Sequence, residues 1–199
     1  MAGVSFCSFL RDSCIANWTR WILFGTWVAV LLITVTEVRA QTGVSGEPVS
    51  LGALTVGYTY LYADQGGGER SHLNGWFARP SFNVLPKLSV FADFTNYYGS
   101  NRKGSLNSHG YTFGVSHAFA KWKGLLPAVF GETGDIRASN DGKITNSFAI
   151  LTGVNVQVPL NRHVSIAITP AEYVLLFPSG GPRNDFNAKF GFSFPFGQR

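Results

Sequence analysis

Seven side chains in this sequence have types and spacings that could do chemistry, and they form two groups. His163 and Ser165 stand two positions apart, with Glu172 downstream. An imidazole can activate a hydroxyl while a carboxylate orients the imidazole, which is the arrangement of nucleophilic hydrolases. The second group consists of isolated charges of both signs in segments otherwise poor in charge: Arg79, Asp93, Glu132 and Lys189. What either group can do depends on the elements that hold it.

The segments that hold the charges alternate between apolar and polar residues. From 76 to 97, two such runs flank a short break at 85–87. A period of two residues predicts β-strands, and two runs around a short break predict a hairpin. With three residues in the turn, Val84 opposes Leu88. The same register places Arg79 opposite Asp93, and an isolated pair of this kind predicts that exchanging the two charges is milder than removing either one.

Eight alternating runs of about ten residues occupy the chain from residue 50 onward, a length that suits a tilted membrane-crossing strand. Their connections alternate between long polar stretches and short turns. The predicted long loops are 64–70, 99–107, 134–146 and 178–185. An even number of antiparallel runs with this rhythm predicts an all-β fold, an eight-stranded antiparallel up-and-down transmembrane β-barrel.

The two faces of the runs indicate which side meets lipid. One face is aliphatic and aromatic, whereas the other is mostly small or weakly polar with the four single charges. Small residues suit the narrow lumen of an eight-stranded barrel, and buried charges of both signs suit a mutual network. Charged residues make up only 14% of the chain, too few for a soluble exterior. An exported soluble, lipocalin-like ligand-binding barrel remains the alternative. Four prolines inside the runs require bulges or boundary positions: Pro80, Pro127, Pro170 and Pro195.

The N-terminal segment predicts export. An uncharged apolar run at 21–35 follows basic residues and precedes a cleavage-like Ala40, so residues 1–40 are predicted to be a signal peptide. Residues 41–49 are then a short N-terminal segment, and 50–199 form the barrel. Both cysteines, Cys7 and Cys14, fall in the signal peptide, which predicts a mature chain without disulfides.

With its leader, eight runs, loop rhythm and aromatic closing strand, the chain resembles the small OmpA/OmpX-like barrels of the outer membrane of Gram-negative-type bacteria. The resemblance implies outer-membrane lipids as surroundings, both termini and the short turns in the periplasm, and four exposed loops outside. It also implies that the barrel-assembly machinery reads the closing aromatics during biogenesis: Phe190, Phe192, Phe194 and Phe196. We expect no OmpA-type periplasmic domain after the barrel.

The predicted function is that of a non-enzymatic cell-envelope protein with a side-chain-filled lumen and a structural or surface-interaction role. We expect no cofactor and no metal site, because the four histidines are dispersed, and no nucleic-acid partner, because there is no basic stripe. The sequence does not identify an extracellular partner. The alternative is a lipid A-modifying hydrolase, since some outer-membrane barrels that deacylate lipid A use a His, a Ser two residues later and a downstream Glu. Against it, His163 follows a short turn that the resemblance places in the periplasm, away from lipid A.

Overall fold

A computed structural model describes residues 50–66, 69–101, 104–140 and 142–198, which lie within one compact unit, Pro48–Arg199. These residues form a closed barrel in which each strand is antiparallel to the next and β1 pairs with β8. The predicted eight-stranded up-and-down architecture is therefore confirmed. The strands are β1 (Ser50–Gly66), β2 (Glu69–Leu85), β3 (Leu88–Asn101), β4 (Gly104–Ala118), β5 (Leu126–Asn140), β6 (Lys143–Pro159), β7 (Ser165–Phe177) and β8 (Arg183–Gln198).

The predicted signal peptide, residues 1–40, and the segment 41–49 lie outside the described residues. Within the described part of the chain, no helix is long and apolar enough to cross a membrane.

The strands are longer than the predicted ten residues, and the prediction of four long loops is wrong in extent. Strand lengths run from 13 to 17 residues, and only residues 67–68 separate β1 from β2. The polar stretches between runs are mostly paired strand, because a ladder can continue through polar residues whose side chains also pair across it. Asp64 opposite Arg70 is such a case, with a 3.8 Å ion pair. We call the end with these extensions the hairpin end, and the end with connections 86–87, 119–125 and 160–164 the turn end.

The alternation of exposure along β8 shows how the barrel is filled. Inward-pointing Lys189, Gly191 and Ser193 are buried, whereas the intervening Phe190 and Phe192 are 47% and 43% exposed. The same pattern runs round the other strands and leaves large aliphatic and aromatic side chains on the outer wall. A soluble ligand-binding barrel has the opposite arrangement, so the lipocalin-like alternative does not fit.

The β2–β3 hairpin keeps the predicted register except at its turn. Leu85 pairs with Leu88, which leaves a two-residue turn, and an irregularity follows between Asn83 and Leu85. The prediction that Val84 opposes Leu88 is therefore wrong. Beyond the irregularity the register matches the prediction, with Ala78 opposite Phe94.

The in-strand prolines lie where the ladder does not need their missing N–H. Between β2 and β3 the paired positions skip from Ala78 to Ser81, so Pro80 stands in a gap of that ladder. Pro170 is in a bulge, because two residues of β7 between Thr169 and Glu172 oppose a single residue of β8 between Lys189 and Asn187. Pro127 is next to the start of β5, and Pro195 extends beyond the last β7–β8 pair, Ser165 with Ser193. A ladder gap, a bulge and two strand ends thus accommodate the four prolines.

Candidate functional site

Five charged side chains from five strands meet inside the barrel. Arg79 comes from β2, Asp93 from β3, Glu132 from β5, Glu172 from β7 and Lys189 from β8. Each occupies an inward position of its strand, so the two-residue period aims all five at the barrel axis. None is more than 8% exposed. We refer to these five residues as the lumen charge cluster.

Arg79 contacts all three carboxylates of the cluster. Its Nε donates to Asp93 Oδ2 at 2.8 Å, and its Nη2 donates to the same oxygen. Nη2 also donates to Glu132 Oε1 at 3.3 Å and lies 3.7 Å from Glu172 Oε2. One guanidinium therefore crosses the lumen and connects β2 with β3, β5 and β7.

Lys189 makes the complementary connection from the closing strand. Its Nζ donates to Asp93 Oδ2 and to Glu172 Oε2, both at 2.8 Å, and lies 4.0 Å from Glu132 Oε1. Asp93 Oδ2 thus accepts from both cations, whereas its other oxygen, Oδ1, is buried without a hydrogen-bond partner. Two cations face three carboxylates, so the cluster has a formal charge of −1 when every member is ionised.

Neutral polar side chains complete the hydrogen bonding around the cluster. Thr112 Oγ1 donates to Glu132 Oε2 at 2.7 Å. Asn187 Nδ2 donates to Glu172 Oε1 and to the Tyr97 hydroxyl, both at 2.9 Å, and its Oδ1 accepts from Thr59 Oγ1 at 2.8 Å. Such partners stabilise charges that have been removed from water.

Apolar side chains enclose the cluster along the barrel axis. Toward the turn end, the Arg79 guanidinium carbon lies 4.5 Å from the ring centroid of Phe91 and 4.9 Å from that of Phe130. These rings pack edge to face on each other at 6.0 Å. Toward the hairpin end, two buried clusters fill the lumen: Leu61, Ala63, Leu73, Tyr97 and Leu106, and Ile136, Ala149, Leu151 and Val174. The charges are thus held between apolar layers.

The structure brings together the four charges singled out in the sequence and adds Glu172, which sequence reasoning had assigned to a different group. A usable signal was present. Outward Tyr173 and inward Val174 fix the parity of the second half of β7, and counting back by two places Glu172 inward. The bulge at Pro170 adds one residue to β7, so counting in steps of two from Ser165 does not arrive at Glu172.

The hydrolase arrangement of His163, Ser165 and Glu172 is contradicted by the structure. His163 is exposed in the connection before β7, and Ser165 is the first residue of that strand. Glu172 lies seven residues beyond Ser165, which corresponds to roughly 20 Å of strand. Its side chain is fully buried and hydrogen-bonded to Lys189. The spacing of the three residues in sequence resembles a catalytic triad. Because Ser165 and Glu172 lie on one extended strand, their side chains do not come together.

Among the described residues, no group of three or more His, Cys, Asp or Glu side chains could hold a metal ion. The closing aromatics point outward, with exposed fractions from 38% to 47%: Phe190, Phe192, Phe194 and Phe196.

No protein-family model and no curated protein matches the chain. Among solved structures, it resembles Neisserial surface protein A, with a TM-score of 0.66 and 13% identity over 75% of this chain and all of that one. Lower scores relate it to the N-terminal β-barrel domain of OprF from Pseudomonas aeruginosa (TM-score 0.49, 10% identity, 73% of this chain, 100% of that one). Ail of Yersinia pestis follows (0.47, 14%, 72% and 97%). The likeness to Neisserial surface protein A and the closed sheet from β1 to β8 show that the chain has the fold of a small eight-stranded outer-membrane barrel.

Proposed function

We propose that this protein is an integral outer-membrane barrel that does not conduct and is not an enzyme, and that it serves the cell envelope structurally or through surface interactions. The observation that carries the proposal is the distribution of apolar and charged side chains between the outer wall and the lumen. The outer wall is aliphatic and aromatic, while the charges of the strand interiors are sealed inside. In water this arrangement would expose a large apolar surface, whereas in a bilayer both faces are satisfied.

The filling of the lumen supports a closed barrel. The lumen charge cluster spans the interior from β2 to β8, and the rings of Phe91 and Phe130 lie beside it. An eight-stranded barrel has an interior just wide enough for such side chains. A continuous aqueous path would require several ion pairs to separate together.

The hairpin end supports a role in surface interaction. The strand ends there carry charges of both signs, including the Asp64–Arg70 pair. Arg70 is further fixed by a hydrogen bond from Nη1 to the Asn184 carbonyl oxygen at 2.8 Å and by its stacking on Tyr62 at 5.1 Å. Such braced hairpins present a defined polar surface.

The test is the behaviour of the protein in cell envelopes and planar bilayers. We expect it in the outer-membrane fraction, with gel migration that changes on heating because the folded barrel resists detergent. We expect no steady conductance after reconstitution. Recovery as a soluble protein would overturn the membrane placement, and a stable open channel would overturn the closed lumen.

The absence of catalysis has its own test. The masses of lipid A from cells with and without the protein should coincide, and Ser165→Ala should leave them unchanged. Loss of an acyl chain that depends on Ser165 would contradict a non-enzymatic role.

A further inference from the structure

The three connections at the turn end, all within the described residues, carry charges of a single sign. Lys87, Lys121, Lys123 and Arg162 are exposed there, and residues 86–87, 119–125 and 160–164 contain neither Asp nor Glu. The hairpin end differs, because its described residues carry both signs: Asp64, Glu69, Asp135 and Asp185 with Arg70, Arg137, Lys143 and Arg183. Within the described residues, the connections at the two ends of the barrel thus differ in charge.

A tight turn in the connection between β4 and β5 holds Lys123 next to Trp122. Trp122 and Leu125 exchange backbone hydrogen bonds of 3.0 and 2.9 Å, so Lys123 and Gly124 form a two-residue hairpin loop. Both have positive φ, 48° and 85°, as a type I′ turn requires. The Lys123 ammonium lies 5.1 Å from the centroid of the Trp122 ring. The connection between β4 and β5 therefore presents a cation and an indole in fixed relation.

Lysine is an unfavourable choice for this backbone position. A non-glycine residue at left-handed φ is disfavoured, and Asn-Gly is the preferred sequence for such a turn. Local strain in an exposed turn points to a role that the side chain performs outside the fold.

Apolar side chains accompany the cations at the turn end. Phe119, Trp122 and Leu160 are 48%, 61% and 56% exposed, within or beside the connections that carry the lysines and Arg162. Aromatic rings beside basic groups are typical of the level at which phospholipid headgroups meet acyl chains. Soluble polyanions offer nothing to these exposed apolar groups, whereas a phospholipid supplies both an anionic headgroup and an apolar chain.

We propose that the turn end binds anionic phospholipid headgroups, with Lys121, Lys123 and Arg162 facing lipid phosphates and Trp122 inserted at the headgroup level. This inference rests on the proposed membrane placement. It adds a lipid preference that membrane insertion alone does not require. A basic residue at an anionic surface contributes about 1 kcal/mol, which corresponds to about a fivefold preference.

The experiment uses the protein isolated from membranes and reconstituted in phosphatidylcholine vesicles. A fixed fraction of brominated lipid, either brominated phosphatidylglycerol or brominated phosphatidylcholine, quenches tryptophan fluorescence on contact. The difference between the native protein and Trp122→Phe isolates the signal of Trp122, whatever other tryptophans are present. The difference between the native protein and Trp76→Phe likewise isolates the signal of Trp76. This outward residue of β2 serves as the internal control. Heat-modifiable migration of each sample reports insertion.

We expect the phosphatidylglycerol analogue to quench Trp122 severalfold more strongly than the phosphatidylcholine analogue, with no such difference at Trp76. The preference should fall as NaCl is raised from about 0.1 M to about 1 M, which shortens the Debye length from about 10 Å to about 3 Å. It should also fall in Lys123→Asn, a variant that suits the type I′ turn and is expected to fold at least as stably. Replacing all four turn-end cations together by glutamine should abolish the preference; these are Lys87, Lys121, Lys123 and Arg162.

Equal quenching of Trp122 by the two lipids in an inserted protein would overturn this inference and leave the proposed function standing. Failure to insert would overturn both. A preference that survives high salt or neutralisation of the four cations, or one equally strong at Trp76, would also exclude binding by the turn end.

Discussion

Arg79 and Asp93 form a hydrogen-bonded ion pair across a gap in the β2–β3 ladder, where Pro80 supplies no backbone donor. The guanidinium donates to Asp93 Oδ2 through two nitrogens, and Lys189 donates to the same oxygen from the closing strand. The side-chain bonds therefore connect β2 and β3 where backbone pairs are missing. Asp93 thus accepts hydrogen bonds from both cations of the lumen charge cluster.

This geometry changes the expectation for exchanging the two charges. In the double variant Arg79→Asp/Asp93→Arg, the new arginine would face Lys189 and the new aspartate would face Glu132 and Glu172. We predict that the exchange destabilises the barrel at least as much as Asp93→Asn alone, which should cost about 3–5 kcal/mol because it leaves buried cations short of a partner. Urea unfolding in lipid vesicles measures these free energies.

Rescue by the exchange would contradict the account, since only an isolated pair can be inverted without harm. Asn83→Asp, a part-buried position on the same hairpin outside the lumen charge cluster, provides a comparison for introducing a charge into β2.

The two glutamates of the cluster should respond differently to neutralisation. Glu172 accepts from Lys189 and Asn187 at 2.8 and 2.9 Å, so Glu172→Gln turns an amide N–H₂ toward a donor. Glu132 is held less closely by Arg79, at 3.3 Å, and a glutamine oxygen can still accept from Arg79 while its N–H₂ donates to the Thr112 hydroxyl, which can accept as well as donate. Glu132→Gln also equalises the numbers of cations and anions. We predict a loss of about 3 kcal/mol for Glu172→Gln and less than about 1.5 kcal/mol for Glu132→Gln.

The same unfolding measurement compares the two glutamine variants. A larger loss for Glu132→Gln than for Glu172→Gln would show that the excess negative charge is not what limits the stability of the cluster.

Two facing glycines allow β1 and β8 to approach at the closure of the barrel. Gly57 pairs with Gly191, and a Cβ on Gly57 would lie 2.1 Å from the Phe190 carbonyl oxygen, while one on Gly191 would lie 2.4 Å from that of Val56. Neither contact can be relieved by rotating a side chain. We predict that Gly57→Ala and Gly191→Ala each lower the unfolding free energy by about 1–3 kcal/mol.

Gly180 is the matched control for the glycine variants, because a Cβ there meets nothing within 4 Å and its backbone is not left-handed. Gly180→Ala should change stability by less than about 0.5 kcal/mol. If all three alanine variants behaved alike, the close approach of β1 and β8 would not be a constraint on closure.

The sequence was sufficient to predict the barrel, the inward positions of Arg79 and Lys189 and the apolar outer wall, because a period of two residues determines all three. Strand ends were not predictable in this way. Polar residues such as Asp64 and Arg70 indicate a loop by composition, yet their mutual pairing extends a ladder. Glu172 was missed as a lumen residue because the extra residue at Pro170 reverses the parity of β7.

The polarity of the two ends follows from topology rather than from composition. Lys87, Lys123 and Arg162 are far apart in sequence, and the net charge of +5 does not show that they share an end. Only the alternating direction of the strands brings their connections together. The strained φ of Lys123 likewise becomes visible only in the folded turn.

The central claim is that the outer wall of the barrel faces lipid, and spin-label accessibility along β8 tests it most directly. Single cysteines at Phe192 and at Ser179, in a background with Cys7 and Cys14 replaced by serine, are labelled and reconstituted in vesicles. We predict that the label at Phe192 is accessible to molecular oxygen and protected from a water-soluble nickel chelate, whereas the label at Ser179, in the connection before β8, shows the reverse. Equal nickel accessibility at the two positions would place the outer wall in water and contradict the membrane barrel.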